Sequence, residues 1–219
     1  MNKKEIINKI LDSLSVKLKT YGFKLQKSKG RFTKQVKNFT LVYDINFYNE
    51  RNGYIAEPFV YIDVEEVAKI YQNITVKNTI SYNNLHTIGG TVGILMAEEN
   101  ADGIFRKNPF LNFYFNDEDS LNGCIDFLVY CFENAALPYF EEYDTLNKID
   151  NALNNNPDYL SKHLVINPLR CIIGLIIAKL LNKQNYNDLM SIYDKQIQIA
   201  SIEYIQEFNN LKALFNNKL

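Results

Sequence analysis

The chain carries 219 residues, a formal net charge of -1 and 47% hydrophobic residues, enough length and apolar content to bury a core without disulfide staples. No apolar run approaches the roughly 20 residues of a membrane span, the nearest being "CIIGLIIAKLL" from Cys171 to Leu181. The N-terminal "MNKKEIINKILDSL" lacks the unbroken apolar stretch and small-residue cleavage site of an export signal, so a soluble cytoplasmic protein without a membrane partner is expected.

The first element is a helix. Apolar residues recur at Ile6, Ile7, Ile10, Leu11, Leu14, Leu18 and Tyr21, a single helical stripe, and Gly22 supplies its stop. "YGFKLQKSKGRFTKQVK", from Tyr21 to Lys37, then reads as a basic hairpin. A two-residue turn at Lys29-Gly30 would place Phe23 opposite Val36, Leu25 opposite Lys34 and Lys27 opposite Phe32. A second tight turn at Lys37-Asn38 continues the register into a third strand, with Phe39, Leu41, Tyr43, Ile45 and Phe47 on the apolar face. Asp44 then stands opposite Arg31 on the face expected to be wet. Lys27 and Lys34 fall on the apolar face and must snorkel past its edge.

Further strands are expected at Glu57 to Val64, Ile74 to Tyr82, His86 to Met96 and Pro109 to Phe115, paired antiparallel because no long crossover separates the first of them. "NERNG" (Asn49 to Gly53) and "EENADG" (Glu98 to Gly103) read as turns or loops. A helix capped at Asn116 or Asp117 follows, with Leu121, Cys124, Ile125, Leu128, Cys131 and Phe132 as its buried stripe and Pro138 as an interruption. A short helix from about Thr145 and three tail helices, near 167–181, 186–198 and 202–215, complete the reading. The expected class is α+β: an N-terminal helix packed on an antiparallel sheet, then a group of α-helices, with residues 1–155 as an α+β domain and 156–219 as a helical extension.

Several chemistries lack their residues. Only His86 and His163 are present, too few for a histidine metal centre or an ordinary nucleophile-base pair. The three cysteines, Cys124, Cys131 and Cys171, form no CxxC motif and read as buried thiols in a reducing compartment. "DEDS" (Asp117 to Ser120) resembles a helix cap more than an EF-hand, and "IGGTVG" (Ile88 to Gly93) lacks the GK[ST] ending of a phosphate loop. No cofactor and no metal are expected.

Charge is distributed unevenly. Residues 1–37 hold eleven Lys/Arg against Glu5 and Asp12, whereas residues 98–150 hold twelve Asp/Glu against Arg106, Lys107 and Lys148. Such separation bears on partners and orientation more than on fold.

From Leu14 and Leu18 through Gly22, Phe23, Gly30, Phe32 and Lys34, the sequence resembles the start of a widespread bacterial family of unknown biochemical activity. Leu137, Pro138, Tyr139 and Phe140 are similar to that family's leucine-proline-aromatic segment, so the likeness covers about residues 1–155. Members are often placed among candidate immunity proteins of bacterial toxin systems. The resemblance implies a non-enzymatic protein-binding role, with a toxin-like protein partner. An acidic surface of Glu98, Glu99, Asp102, Asp117, Glu118 and Asp119 would contact that partner, flanked by Tyr48 and Tyr54 beside the "NERNG" loop. The alternatives are a nucleic-acid binder using the basic N-terminal helix and hairpin and a carboxylate-dependent hydrolase.

Overall fold

The computed structural model describes residues 3–76, 85–97, 111–159, 161–163 and 167–216. The chain forms two compact units: residues 1–62 with 89–142, and residues 63–88 with 143–219. The division thus falls after Glu142 rather than after residue 155, and the second unit takes in a segment from the middle of the chain.

The first unit begins with α1, Lys3–Leu18, whose Ile10, Leu11, Leu14 and Leu18 are buried. Its end is a Schellman closure. Gly22 takes a left-handed φ of 84°, its N–H reaches the Lys19 carbonyl at 3.0 Å, and the Phe23 N–H reaches the Leu18 carbonyl at 3.2 Å. The sheet follows as β1 (Lys24–Gln26), β2 (Arg31–Val36), β3 (Phe39–Glu50) and β4 (Gly53–Val64), adjacent in that order and joined by tight turns. The fold is α+β: leading helix, antiparallel strands, then helices.

The β2–β3 register is as the sequence predicts, with Val36 opposite Phe39 and Arg31 opposite Asp44. The β1–β2 register is displaced by two residues: Leu25 faces Phe32, not Lys34. A two-residue hairpin turn of the favoured type needs positive φ at both central residues, which suits Gly30 but not Lys29. The chain instead closes with a 3-10 turn over Lys27–Lys29, confining positive φ to Gly30 at 68°. The apolar pair Leu25 and Phe32 meet, and Lys27 moves into the turn, where it binds Asp12 at 2.8 Å. Lys34 does snorkel, its Nζ lying 6.0 Å from the centre of the Phe23 ring.

The other face of the strands is not the wet surface expected. The Arg31 and Asp44 side chains are only 12% and 10% exposed and pair at 2.7 Å. Tyr61 lies near them, its hydroxyl pKa raised chiefly by burial.

The expected strand from His86 to Met96 is shorter. β5 spans Ile88–Thr91, and the Thr91 hydroxyl then accepts the Ile94 N–H to start the short helix α3, Val92–Leu95. Gly89 permits this close packing, since a Cβ there would stand 2.1 Å from the Val60 carbonyl oxygen. Of the expected strand 74–82, residues 77–84 lie outside the described residues, and Ile74 to Val76 are not strand. The segment expected at 109–115 yields β6, Phe113–Phe115, paired antiparallel with the start of β4 so that Tyr54 faces Phe115.

Helix α4, Glu118–Cys131, is capped by Asp117 in a reciprocal box with Ser120 and buries Leu121, Cys124, Ile125, Leu128 and Cys131. Pro138 does not interrupt the helical path beyond it. A π turn over Phe132–Ala136 widens the helix where the proline ring would otherwise strike the Asn134 carbonyl, and α5, Leu137–Glu142, continues. Phe132 centres the core, with the rings of Tyr21, Phe23 and Tyr43 edge-on at 5.3, 5.1 and 5.3 Å.

The second unit contains α2 (Glu65–Gln72), which the sequence reading does not anticipate, and α6 (Leu146–Asn154), α7 (Asn167–Leu180), α8 (Tyr186–Ile197) and α9 (Ile202–Asn216), which it does. The apolar run from Cys171 to Leu181 is largely α7, with Cys171, Ile172, Ile173, Leu175, Ile176, Ile177 and Ala178 buried within the unit. No described helix is long and apolar enough to cross a membrane.

Buried charges, Arg170 and Glu207 among them, tie together segments of this unit. Arg170, 2% exposed, donates from Nε and Nη2 to the Leu153 carbonyl at 2.9 and 2.6 Å, and further to the carbonyls of Asn156 and Tyr159, neutralising the C-terminal end of α6. Glu207, fully buried, accepts from the Tyr71 hydroxyl at 2.7 Å, the Thr75 hydroxyl at 2.6 Å and the Val76 N–H, tying α9 to the end of α2.

Candidate functional site

The basic and acidic segments of the first unit face each other. Helices α1 and α4 run parallel, with Lys9 on Glu118 at 2.6 Å and Lys17 on Asp126 at 3.1 Å, both pairs separated by 109 residues. Beyond the end of α1, the Tyr21 hydroxyl donates to Glu133 at 2.8 Å. Part of the charge asymmetry is therefore satisfied inside the unit, through these two ion pairs.

The remaining bases are dispersed. Arg31 is held by Asp44, Lys27 by Asp12, and Lys34 lies over Phe23. Lys24, Lys27 and Lys29 are exposed on and just after β1, the strand at one end of the sheet order, where charged side chains oppose edge-to-edge pairing with another chain.

The sequence-derived acids divide into three groups. Glu98, Glu99 and Asp102 lie outside the described residues. Asp117 is occupied as the cap of α4, its carboxyl held below the usual range by the Ser120 hydroxyl and N–H, and Glu118 is likewise lowered by Lys9. Asp119 is exposed in the first turn of α4, where a carboxylate complements the helix dipole.

The two tyrosines separate. Alternation along the strands turns Tyr54 to the core side, where its ring meets Phe115 at 5.6 Å, while Tyr48 shares the parity of Asp44 and is 45% exposed.

What the structure does assemble is a cavity of about 570 Å³ at the β3–β4 hairpin. Lys3 and Ile6 from α1, Asn49, Glu50, Arg51, Asn52, Gly53 and Tyr54 from the hairpin, and Asn116 from the β6–α4 junction line it, so one carboxylate stands among its two cations. Gly53 makes the arrangement possible: a Cβ there would lie 2.5 Å from the Phe115 carbonyl oxygen and 2.9 Å from the Asn116 Cβ. Lys3 is positioned twice, donating to the Asn49 carboxamide oxygen at 2.6 Å and standing 5.7 Å from the centre of the Tyr54 ring. The Glu50 carboxylate accepts its neighbour's N–H, that of Arg51, at 3.1 Å. The pairing of Tyr54 with Phe115 sets this cavity beside Asp117, so Tyr54 and the start of α4 do share one end of the unit.

The sequence assigns no site role to Lys3 or Arg51, and marks Asn116 only as a candidate helix cap. They come from three distant segments with no common spacing; only the "NERNG" turn hinted at an accessible loop.

Elsewhere, His86 pairs with Asp63 at 2.7 Å, and buried His163 contacts Tyr143. Among the described residues, no group of three or more His, Cys, Asp or Glu is arranged to hold a metal ion. Comparison with family models, curated proteins and solved structures gives no match to this chain.

Proposed function

We propose that the chain is a protein-binding module whose contact surface is the hairpin end of its first unit, and that its partner is toxin-like, in the immunity-type role that the sequence resemblance implies. The observation that carries the binding surface is the cavity at Arg51 and Tyr54, a concave site joined by three chain segments and rich in exposed polar side chains. Concave sites presented by loops on a rigid scaffold are common places for recognition. The acids expected to meet the partner contribute less than their number suggests, because Asp117 and Glu118 are committed within the unit.

Co-expression with the product of the adjacent reading frame, followed by affinity capture and gel filtration, tests this reading. Asn52 and Asn116 are exposed, so Asn52→Trp and Asn116→Trp should fill the cavity without unfolding the chain. The expected result is a complex lost in both variants, with unchanged circular dichroism. A complex retained by both would remove this surface from the account.

A further inference from the structure

The charge sense of the cavity deepens the binding proposal and rests on it. A surface of free carboxylates would select a basic partner, but three of the carboxylates at this end are engaged, Glu50 on the cavity wall among them. Asp117 receives the Ser120 N–H at 2.8 Å and hydroxyl at 2.6 Å, Glu118 receives Lys9, and Glu50 accepts the Arg51 N–H. The cations are in the opposite condition. Arg51 is exposed in the turn, and its guanidinium has no hydrogen-bond or ion-pair partner among the described residues. Lys3 is aimed at the cavity by Asn49 and Tyr54 and retains N–H groups to donate. The Asn49 carboxamide oxygen accepts from Lys3, and its NH₂ has no partner among the described residues and can donate.

We infer that the cavity binds a carboxylate side chain from an acidic segment of the partner protein, with Arg51 supplying a planar, two-pronged donor and Lys3 a second positive charge. The guanidinium fork matches a carboxylate in two parallel hydrogen bonds, a geometry that an ammonium does not reproduce. Asp119 is a nearby carboxylate without a partner among the described residues, but it does not line the cavity.

The test is a low-salt NMR titration of the isotope-labelled full chain with an acetylated, amidated Glu-Asp-Glu peptide. The matched Gln-Asn-Gln and Lys-Lys-Lys peptides and a short oligothymidylate serve as comparisons. Saturable shifts are expected at the Arg51 Nε–H and at the Arg51, Asn52 and Gly53 amides, for the acidic peptide alone. Arg51→Gln should weaken that binding about tenfold, and Arg51→Lys should fall between the two, as expected for a charge-assisted pair.

Absence of saturable shifts, equal response to the amide or lysine peptide, preference for the oligonucleotide, or unchanged binding by Arg51→Gln would each overturn the carboxylate assignment. If that happens while Asn52→Trp still abolishes partner capture, the binding surface stands and only its charge sense fails. If Asn52→Trp and Asn116→Trp leave capture intact, the surface itself is refuted.

Discussion

Lys17 and Asp126 meet at 3.1 Å across two parallel helices, at the same 109-residue separation as Lys9 and Glu118. Two of the bases and two of the acids that look in the sequence like a partner signal are instead paired with each other along the seam between α1 and α4. The pairs are exposed, Lys17 at 47% and Asp126 at 76%, so their energies are small and screened by salt. The buried stripes of Leu14 and Leu18 on α1, and of Leu121 and Leu128 on α4, carry the packing.

In a double-mutant cycle, Lys17→Glu and Asp126→Lys should each destabilise slightly, and the swapped double variant should recover most of the loss. The expected coupling is about 0.2–1 kcal/mol, shrinking in high salt. Urea titrations at two ionic strengths measure it, and a coupling independent of salt would argue against the seam.

Arg31 and Asp44 should behave differently, because both side chains are nearly buried and the pair is 2.7 Å long. Asp44→Ala leaves a buried guanidinium without its counter-charge and should cost about 3–5 kcal/mol. Replacing both residues, Arg31→Met with Asp44→Leu, should restore much of that stability. If both single and double variants unfold at the wild-type urea midpoint, the pair is not buried as described.

Gly89→Ala should prevent a soluble fold or lower its melting temperature sharply. The residue has φ of 146°, and the added Cβ would fall 2.1 Å from the Val60 carbonyl oxygen, a backbone atom that cannot swing aside. A thermal melt of Gly89→Ala matching wild type would show that β5 does not approach β4 in this way.

His163 gives a pH dependence. Burial pushes its pKa down to about 3, with the charges of Lys162 and Arg170 adding to the effect, against about 6.5 in the unfolded chain. Between these values the unfolded state binds the extra proton, so its contribution to stability is whole above about pH 6.5 and falls as pH drops toward 3, by at most about 1.4 kcal/mol per pH unit. The stability difference between wild type and His163→Gln should therefore narrow on acidification from pH 7 to 4.5. A constant difference would place His163 in solvent.

The three cysteines, all buried, have thiol pKa values pushed up to about 12 chiefly by desolvation. A thiol reagent at pH 8 should leave the native chain unlabelled and modify it fully in denaturant. Rapid native labelling would contradict the described packing.

How much of this was legible depended on the range of the interaction. The α1 stripe, the Asp117 cap, the β2–β3 register and the three tail helices follow from periodicity and local turn chemistry, and they stand where the sequence reading placed them. The β1–β2 register departs from the sequence expectation because the turn's φ requirement and the contact between Leu25 and Phe32 outweigh the shorter loop. Helix α2 was missed because two turns, with Val67 and Tyr71 as its buried pair, give little periodic signal. Pro138 is a breaker in a regular helix, and only the π turn before it makes it harmless.

The cavity was the least legible feature. Tyr54 could be nominated from its neighbouring loop, but its companions Lys3 and Asn116 are brought there by the packing of α1 and by the pairing of β6 with β4. No local pattern encodes that meeting.

Hydrogen exchange of the full chain, alone and in complex with the captured partner, shows where the partner sits. Binding at the hairpin end slows exchange at residues 49–54 and 114–119 together, with the exposed edge around Lys24 to Lys29 unchanged. Protection confined to the β1 edge or to the second unit, with the hairpin end exchanging as in the free chain, would contradict it.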